Sequence, residues 1–209
     1  MLFITRFWRN AQFDLRVSRC IAIALLCLTG WAHAQVSTEI TNFRSERADE
    51  DIIVSAQVVF ELPSAIEDAL LKGVPMIFVA EADLMRERWY WFEKKVRGVE
   101  RHMRLAYQPL TRRWRLNVSA GANVGNNQGL TLNQNFESLP QAMAAIKRVS
   151  KWKLADVSSL DSGGKYRVEF RFRLDLGQLP SPFQIGALGQ SEWDIKAAAM
   201  SQLAIESAK

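Results

Sequence analysis

The chain has 209 residues, with 27 basic and 22 acidic side chains, two cysteines and two histidines. This length provides one domain with a sizeable core, whereas two domains would both be small. Both cysteines, Cys20 and Cys27, precede residue 35, and only His102 follows it. The rest of the chain therefore has no thiol for a disulfide or a nucleophile, and too few histidines for a zinc site built on several of them.

Residues 1–34 have the features of a cleavable signal peptide. Arginines precede an apolar run of twelve residues that ends in the small-x-small pattern Ala32-His33-Ala34. We expect cleavage before Gln35 and export of the mature protein to the periplasm. The alternative is an uncleaved anchor in the inner membrane, although the run is shorter than the roughly 20 apolar residues that a spanning helix needs.

Residues 35–209 are expected to form a single domain. They carry 23 basic and 21 acidic side chains, because residues 1–34 contain four of the 27 basic and one of the 22 acidic residues. A net charge of +2 gives no reason to expect nucleic acid as a partner. No second apolar stretch approaches membrane-spanning length, so we expect no stable membrane insertion after cleavage.

Apolar and polar residues alternate with period two through much of residues 35–209, which predicts about eight strands. In chain order the predicted strands are 36–43, 52–62, 76–84, 99–107, 113–118, 130–136, 165–176 and 192–196. The clearest is 165–176, where Tyr166, Val168 and Phe170 begin an apolar face and charged residues fill the positions between them. This pattern is typical of an antiparallel strand with one solvent-exposed face.

Two short helices interrupt the predicted strands. Ser64 and Glu67 form a capping-box pattern, and Gly73 is a stop signal for the helix that follows them. Ser138 begins a second such pattern, and its apolar residues keep helical spacing as far as Val149. We therefore expect an all-β fold: an antiparallel two-layer β-sandwich, immunoglobulin-like or similar, with the helices closing its ends.

Aromatic and arginine side chains are concentrated in the segment that contains Arg88, Trp89 and Trp91. Flat rings stack on sugars, and guanidinium groups bind phosphate or carboxylate, so this segment is a candidate binding site. For the tryptophans, strand alternation favours a simpler interpretation, because Trp89 and Trp91 would share one face and pack in the core.

Arginines also recur at outward positions of two predicted strands. These candidate residues are Arg113 and Arg115 on one strand and Arg167, Arg171 and Arg173 on another. If the strands are neighbours, their arginines form a basic face for lipid phosphates, acidic glycans or the carboxylates of a partner. We favour the simpler alternative, in which Glu100, Glu169 and Asp175 pair with these arginines across strands, each exposed pair contributing less than about 1 kcal/mol.

The sequence offers little for catalysis. His102 falls on the polar side of its predicted strand, where we expect a solvated histidine. No GxSxG motif presents a nucleophilic serine, and no pair of carboxylates stands out. We therefore predict no enzymatic activity, no catalytic residue, no metal site and no cofactor.

Several separated motifs resemble a known family. They are ALLKGVP at 69–75, RWYW at 88–91, RLAY at 104–107, LTRRWR at 110–115 and LPSPFQ at 179–184. Their order resembles a proteobacterial family of exported proteins that is catalogued only as a domain of unknown function, number four-three-nine-zero. The resemblance implies a signal sequence, no established activity, and a gene often found beside a membrane sensor kinase of the nitrogen-regulation type.

These observations leave three function classes. The leading expectation is a non-catalytic periplasmic accessory protein whose partner is an envelope protein such as a membrane sensor kinase; its oligomeric state is left open. This class predicts an exposed strand edge or an apolar patch beside the arginines. The alternative is a module that binds a small ligand, a glycan or an anionic lipid in a pocket lined by Trp89, Trp91, Trp114 or Trp193. A hydrolase is the third class.

Overall fold

The computed structural model describes residues 38–87, 94–121, 131–161, 164–181, 183–184 and 191–203. The predicted cleavage site at Ala32, Ala34 and Gln35 lies outside these residues, so the structure does not test it. None of the helices within the described residues is both long and apolar enough to cross a membrane.

The described residues contain nine strands and two α-helices. The strands are β1 (Glu39–Ala48), β2 (Asp51–Val59), β3 (Met76–Arg86), β4 (Lys94–Gln108), β5 (Arg113–Ala120), β6 (Thr131–Phe136), β7 (Arg148–Asp156), β8 (Tyr166–Leu174) and β9 (Lys196–Gln202). The helices are α1 (Ser64–Leu71), which follows β2, and α2 (Leu139–Ile146), which connects β6 to β7. This composition confirms the predicted all-β class.

The strands form two antiparallel sheets. One sheet has three strands in the order β1-β2-β7, and the other has six in the order β6-β5-β4-β3-β8-β9. Aromatic side chains join the two layers: the ring of Phe43 in β1 lies 5.8 Å from that of Phe170 in β8, and the ring of Phe60 lies 5.7 Å from that of Phe172. The predicted two-layer β-sandwich is therefore confirmed.

The apolar residues that alternate along the strands form the core, as the sequence predicts. On β3 the inward residues Met76, Phe78, Ala80, Ala82 and Leu84 are fully buried, and the inward residues of β2 and β8 pack against the same core. Because burial of apolar surface contributes about 25 cal/mol per Å², these three central strands supply much of the stabilisation.

The two long sides of the sandwich differ. On one side β1 packs against β9, and the hydroxyl of Ser45 lies 3.2 Å from that of Ser201. On the other side the smaller sheet ends at β7, which packs over β3 and β4, while β5 and β6 are contacted by α2. The sheets are unequal in width, so the inner face of β5 and β6 extends beyond the three-stranded sheet.

The helices differ in detail from the prediction. Pro63, not Ser64, precedes the first turn of α1, and no side chain caps that turn; the predicted capping box at Ser64 is wrong. The carbonyl of Pro63 accepts instead from the backbone N–H groups of Ile66 and Glu67, at 3.0 and 3.1 Å. Gly73 has φ +85° and ends α1 as predicted, since a left-handed conformation suits glycine.

Two strands were not predicted where they occur. α2 ends at Ile146, and Val149 belongs to β7 rather than to a continued helix. The segment 192–196 contains a 3-10 turn, and the strand β9 begins only at Lys196. β9 is rich in alanine, which favours helix by itself, but seven residues pair with β8, so tertiary pairing overrides local preference.

Candidate functional site

The arginines predicted to form one basic face lie in two separate groups. β3 and β4 lie between β8, which carries Arg167, Arg171 and Arg173, and β5, which carries Arg113 and Arg115. All five side chains are on the outer face of the six-stranded sheet, by the register of the pairs Arg171↔Glu81, Glu81↔Glu100 and Arg115↔Ala106. The two strands are thus not neighbours, and the two groups must be considered separately.

The β8 group is neutralised by acidic neighbours. The guanidinium of Arg171 donates to Glu81 at 3.0 Å and to Asp83 at 2.6 Å, and its Nη1 lies 3.1 Å from an oxygen of Glu169. Arg173 contacts Glu81 at 3.1 Å and Asp175 at 3.8 Å. We expected Glu169 and Asp175 to pair with these arginines across strands; they do pair with them, but from the same strand and the residue that follows it. We call the set Glu81, Asp83, Glu169, Arg171 and Arg173 the ion-pair cluster.

Asp83 is the most enclosed member of the ion-pair cluster. Its side chain is only 6 % exposed, and Lys95 contacts it at 2.6 Å in addition to Arg171. Burial acts to lower the pKa of Arg171, but its hydrogen bonds to Glu81, Asp83 and Glu169 outweigh burial and raise that pKa. Arg171 is therefore a fixed positive charge that is already engaged. Polar residues at 81 and 83 within an otherwise apolar strand were the available sequence signal for its partners.

Arg167 completes the β8 group. It lies opposite Met85 of β3 and Gln202 of β9 and is half-buried. It stands at the β9 side of the sheet, away from β5. The structure thus brings Arg171 and Arg173 together, and it separates all three β8 arginines from Arg113 and Arg115.

The β5 group is exposed. Arg113 and Arg115 point outward from β5, and Arg104 points outward from the adjacent strand β4 near them. We call these three residues the basic patch. Among the residues that the structure describes, none of the three guanidinium groups has an ion-pair or hydrogen-bond partner. The pairing of Glu100 with one of the arginines, which we expected as an alternative, does not occur, because Glu100 lies against His102.

His102 is buried, which corrects the prediction of a solvated histidine. The residue is 5 % exposed, and its Nε2 lies 2.9 Å from an oxygen of Glu100 without the alignment of a hydrogen bond. Val79 of β3 and Ser119 of β5 are its neighbours across the sheet. A two-residue alternation pattern separates the two faces of a strand, but it does not show whether a residue on the outward face is buried.

β6 is the edge strand beside the basic patch. Its outward residues Asn133 and Asn135 lie opposite Asn117 and Arg115 of β5, and both asparagines are exposed. No described strand pairs with the other side of β6. Along residues 132–136, such an edge offers backbone donors and acceptors to an additional strand.

A cavity of about 470 Å³ lies on the inner face behind β6. Apolar side chains of β4, β5 and β6 form its floor, and α2 and β7 form the opposite wall. The guanidinium of Arg101 lies 4.7 Å from the ring centroid of Trp152, and both side chains line the cavity. Trp114 and Trp193, which were predicted to line a pocket, are instead buried at 5 % and 6 % exposure and do not line this one.

A larger cavity of about 810 Å³ adjoins it at Ala120 and Trp152. Its lining mixes both charges, and Lys153 there contacts Asp51 and Asp156 at 2.7 Å each. These hydrogen bonds raise the pKa of Lys153 and lower that of Asp156. The charges in this cavity are mostly engaged with one another. Within the described residues, no group of three or more histidine, cysteine or acidic side chains could hold a metal ion.

The remaining predicted site residues, Arg88, Trp89 and Trp91, lie outside the described residues, so their roles stay predictions. Trp152 and Arg101 were not among the candidate binding residues. Arg101 is the one polar residue on the otherwise apolar face of the predicted strand 99–107, which was the only sequence signal for this site.

Fold and surface together define a two-layer antiparallel β-sandwich with one closed and one open long side. The model of the family described as Domain of unknown function (DUF4390) matches residues 35–203, and the chain belongs to this family. The match confirms the resemblance carried by the separated motifs. No curated protein and no solved structure matches the chain. The gene neighbourhood that the resemblance implies stays a prediction.

Proposed function

We propose that this protein is an exported, non-catalytic accessory protein of the periplasm that binds an acidic, extended segment of another envelope protein. The surface that binds it consists of the basic patch and the edge of β6. One observation carries the proposal: an exposed strand edge lies directly beside three exposed arginines that have no partner among the described residues.

The edge of β6 and the basic patch would contribute different interactions to binding of the partner. A segment added to the edge of β6 gains main-chain hydrogen bonds, which give affinity to an extended chain of almost any sequence. Arginines beside the edge select for carboxylates and accelerate association with an acidic partner. The β8 arginines do not contribute to this proposal, because Arg171 and Arg173 are already bound to carboxylates. A membrane sensor kinase is the partner that the family resemblance favours.

Charge reversal of the patch tests the proposal. We expect the double variant Arg113→Glu with Arg115→Glu to lose a partner that co-purifies with the wild-type protein from the envelope fraction. The matched control is Arg44→Glu with Arg47→Glu, because both residues are exposed and lie on β1 at the closed side of the sandwich. Retention of the same partner by the patch variant would contradict the proposal.

Export is tested separately by the mass of the purified protein. Expression of the full chain should give a mature protein that begins at Gln35, because Ala32 and Ala34 provide the small residues that signal peptidase requires. A protein that retains residues 1–34 in the membrane fraction would favour the anchored alternative.

A further inference from the structure

We propose that the cavity beside Trp152 binds a free amphipathic anion, an acyl chain that carries one carboxylate or phosphate group. Arg101 and Arg148 would bind the anionic group, and the apolar floor would hold the chain. This site is on the inner face of the six-stranded sheet and is separate from the basic patch, so it goes beyond the proposed function.

The cavity forms because the three-stranded sheet is narrower than the six-stranded sheet. Met103 of β4, Val118 of β5 and Leu132 of β6 stand side by side across three strands, by the pairs Met103↔Val118 and Val118↔Leu132. The three-stranded sheet ends at β7 and does not cover this row fully, and Leu132 is 56 % exposed. Met103 is buried, at 2 % exposure, and Val118 is half-buried, so the exposed apolar surface of this row lies at its β6 end, where an acyl chain packed against it would bury it.

The charge of the cavity is one-sided. The described residues that line it include Arg101 and Arg148 but no aspartate or glutamate. Arg101 is half-buried and contacts the ring of Trp152, and no hydrogen bond or ion pair links its guanidinium to any described residue. Burial lowers the pKa of Arg101, which reflects the cost of holding an uncompensated charge away from water. A bound anion would accept hydrogen bonds from the guanidinium N–H groups of Arg101 and offset that cost.

Size and geometry favour this ligand class over a glycan. About 470 Å³ is within the range of small-molecule sites, and most of the floor is apolar. A sugar would need a free aromatic face for stacking, but the guanidinium of Arg101 already covers one face of Trp152 at 4.7 Å.

Calorimetric titration with decanoate below its micelle concentration tests the site, using the protein purified from cells that express the full chain. We expect decanoate to bind the wild type and to bind Arg101→Gln at least about tenfold more weakly, which corresponds to about 1.4 kcal/mol. Arg44→Gln, an exposed arginine on β1, is the matched control and should bind as the wild type does. Decanol has the chain without the negative charge, and inorganic phosphate has the negative charge without the chain. Both should bind more weakly than decanoate.

A second variant keeps the test valid if Arg101→Gln does not fold. Leu132→Asp changes an exposed residue, so the fold should persist, while a carboxylate at the cavity should weaken decanoate binding. Equal affinity of decanoate for the wild type and for both variants, or no binding to the wild type, would overturn the proposal. Binding only to vesicles of phosphatidylglycerol would also overturn it, because the ligand would then be a membrane surface. Arg113→Glu with Arg115→Glu should leave decanoate binding unchanged, which separates this site from the proposed partner surface.

Discussion

Arg171 shows how one side chain can organise the outer face of a sheet. Its planar guanidinium reaches Glu81, Asp83 and Glu169 at 2.6 to 3.1 Å, a geometry that the single ammonium of lysine cannot reproduce. Asp83 is nearly enclosed, so its charge depends on the neighbours that compensate it. The ion-pair cluster therefore stabilises the fold. Its arginines contact carboxylates, whereas the guanidinium groups of the basic patch have no partner among the described residues.

We expect Arg171→Met to lower the free energy of unfolding by about 2 kcal/mol, because the change removes a partner from three carboxylates, of which Asp83 is nearly enclosed. Arg171→Lys should lie between this variant and the wild type. The control is Arg115→Met on the same face of the same sheet, which should change stability by less than about 0.5 kcal/mol. Urea denaturation measures all three, and equal effects of Arg171→Met and Arg115→Met would show that the cluster does not stabilise the fold.

At the scale of elements, period-two alternation predicted a strand correctly where one face of that strand is buried. β2, β3 and β8 were predicted close to their observed bounds because their inward residues are large and apolar. β7 was not predicted and β9 was misplaced, since β7 is interrupted by irregular pairing with β2 and β9 consists largely of alanine. Their conformation depends on strands far away in sequence, and local pattern carries no information on that pairing.

The candidate site was predictable only in part for the same reason. Outward arginines on β5 and β8 were evident, but the strand order that separates them, and that places Glu81 beside Arg171, is a tertiary property. The burial of His102 likewise follows from its position in the middle of a six-stranded sheet. Arg101 could be noticed as an exception on an apolar face, while its contact with Trp152 of β7 could not.

The start and end of α1 give a direct test at the element scale. Ser64→Ala should change the free energy of unfolding by less than about 0.3 kcal/mol, because Ser64 makes no capping hydrogen bond. Gly73→Ala should cost about 1 kcal/mol, because alanine is strained at φ +85°. Thermal or urea unfolding compares the two variants. A loss of about 1 kcal/mol in Ser64→Ala would indicate that the capping box forms after all.

At the scale of the whole molecule, the asymmetry of the sandwich locates both proposed sites. β1 and β9 close one long side, whereas the other side leaves the edge of β6 unpaired in the described part of the chain. The basic patch lies beside that edge on the outer face, and the cavity lined by Arg101 and Trp152 lies behind it on the inner face. A partner on the edge and a ligand in the cavity would therefore contact opposite faces of the same strand.

Site-specific photo-crosslinking in living cells is the most direct test of the proposed partner surface. A crosslinker at Asn133 on the edge of β6 should yield one major adduct with an envelope protein, and the adduct should disappear when Arg113 and Arg115 are changed to glutamate. The same crosslinker at Glu67, an exposed position on α1, should not yield that adduct. No adduct from Asn133, or the same adduct from both positions regardless of the arginines, would contradict the account.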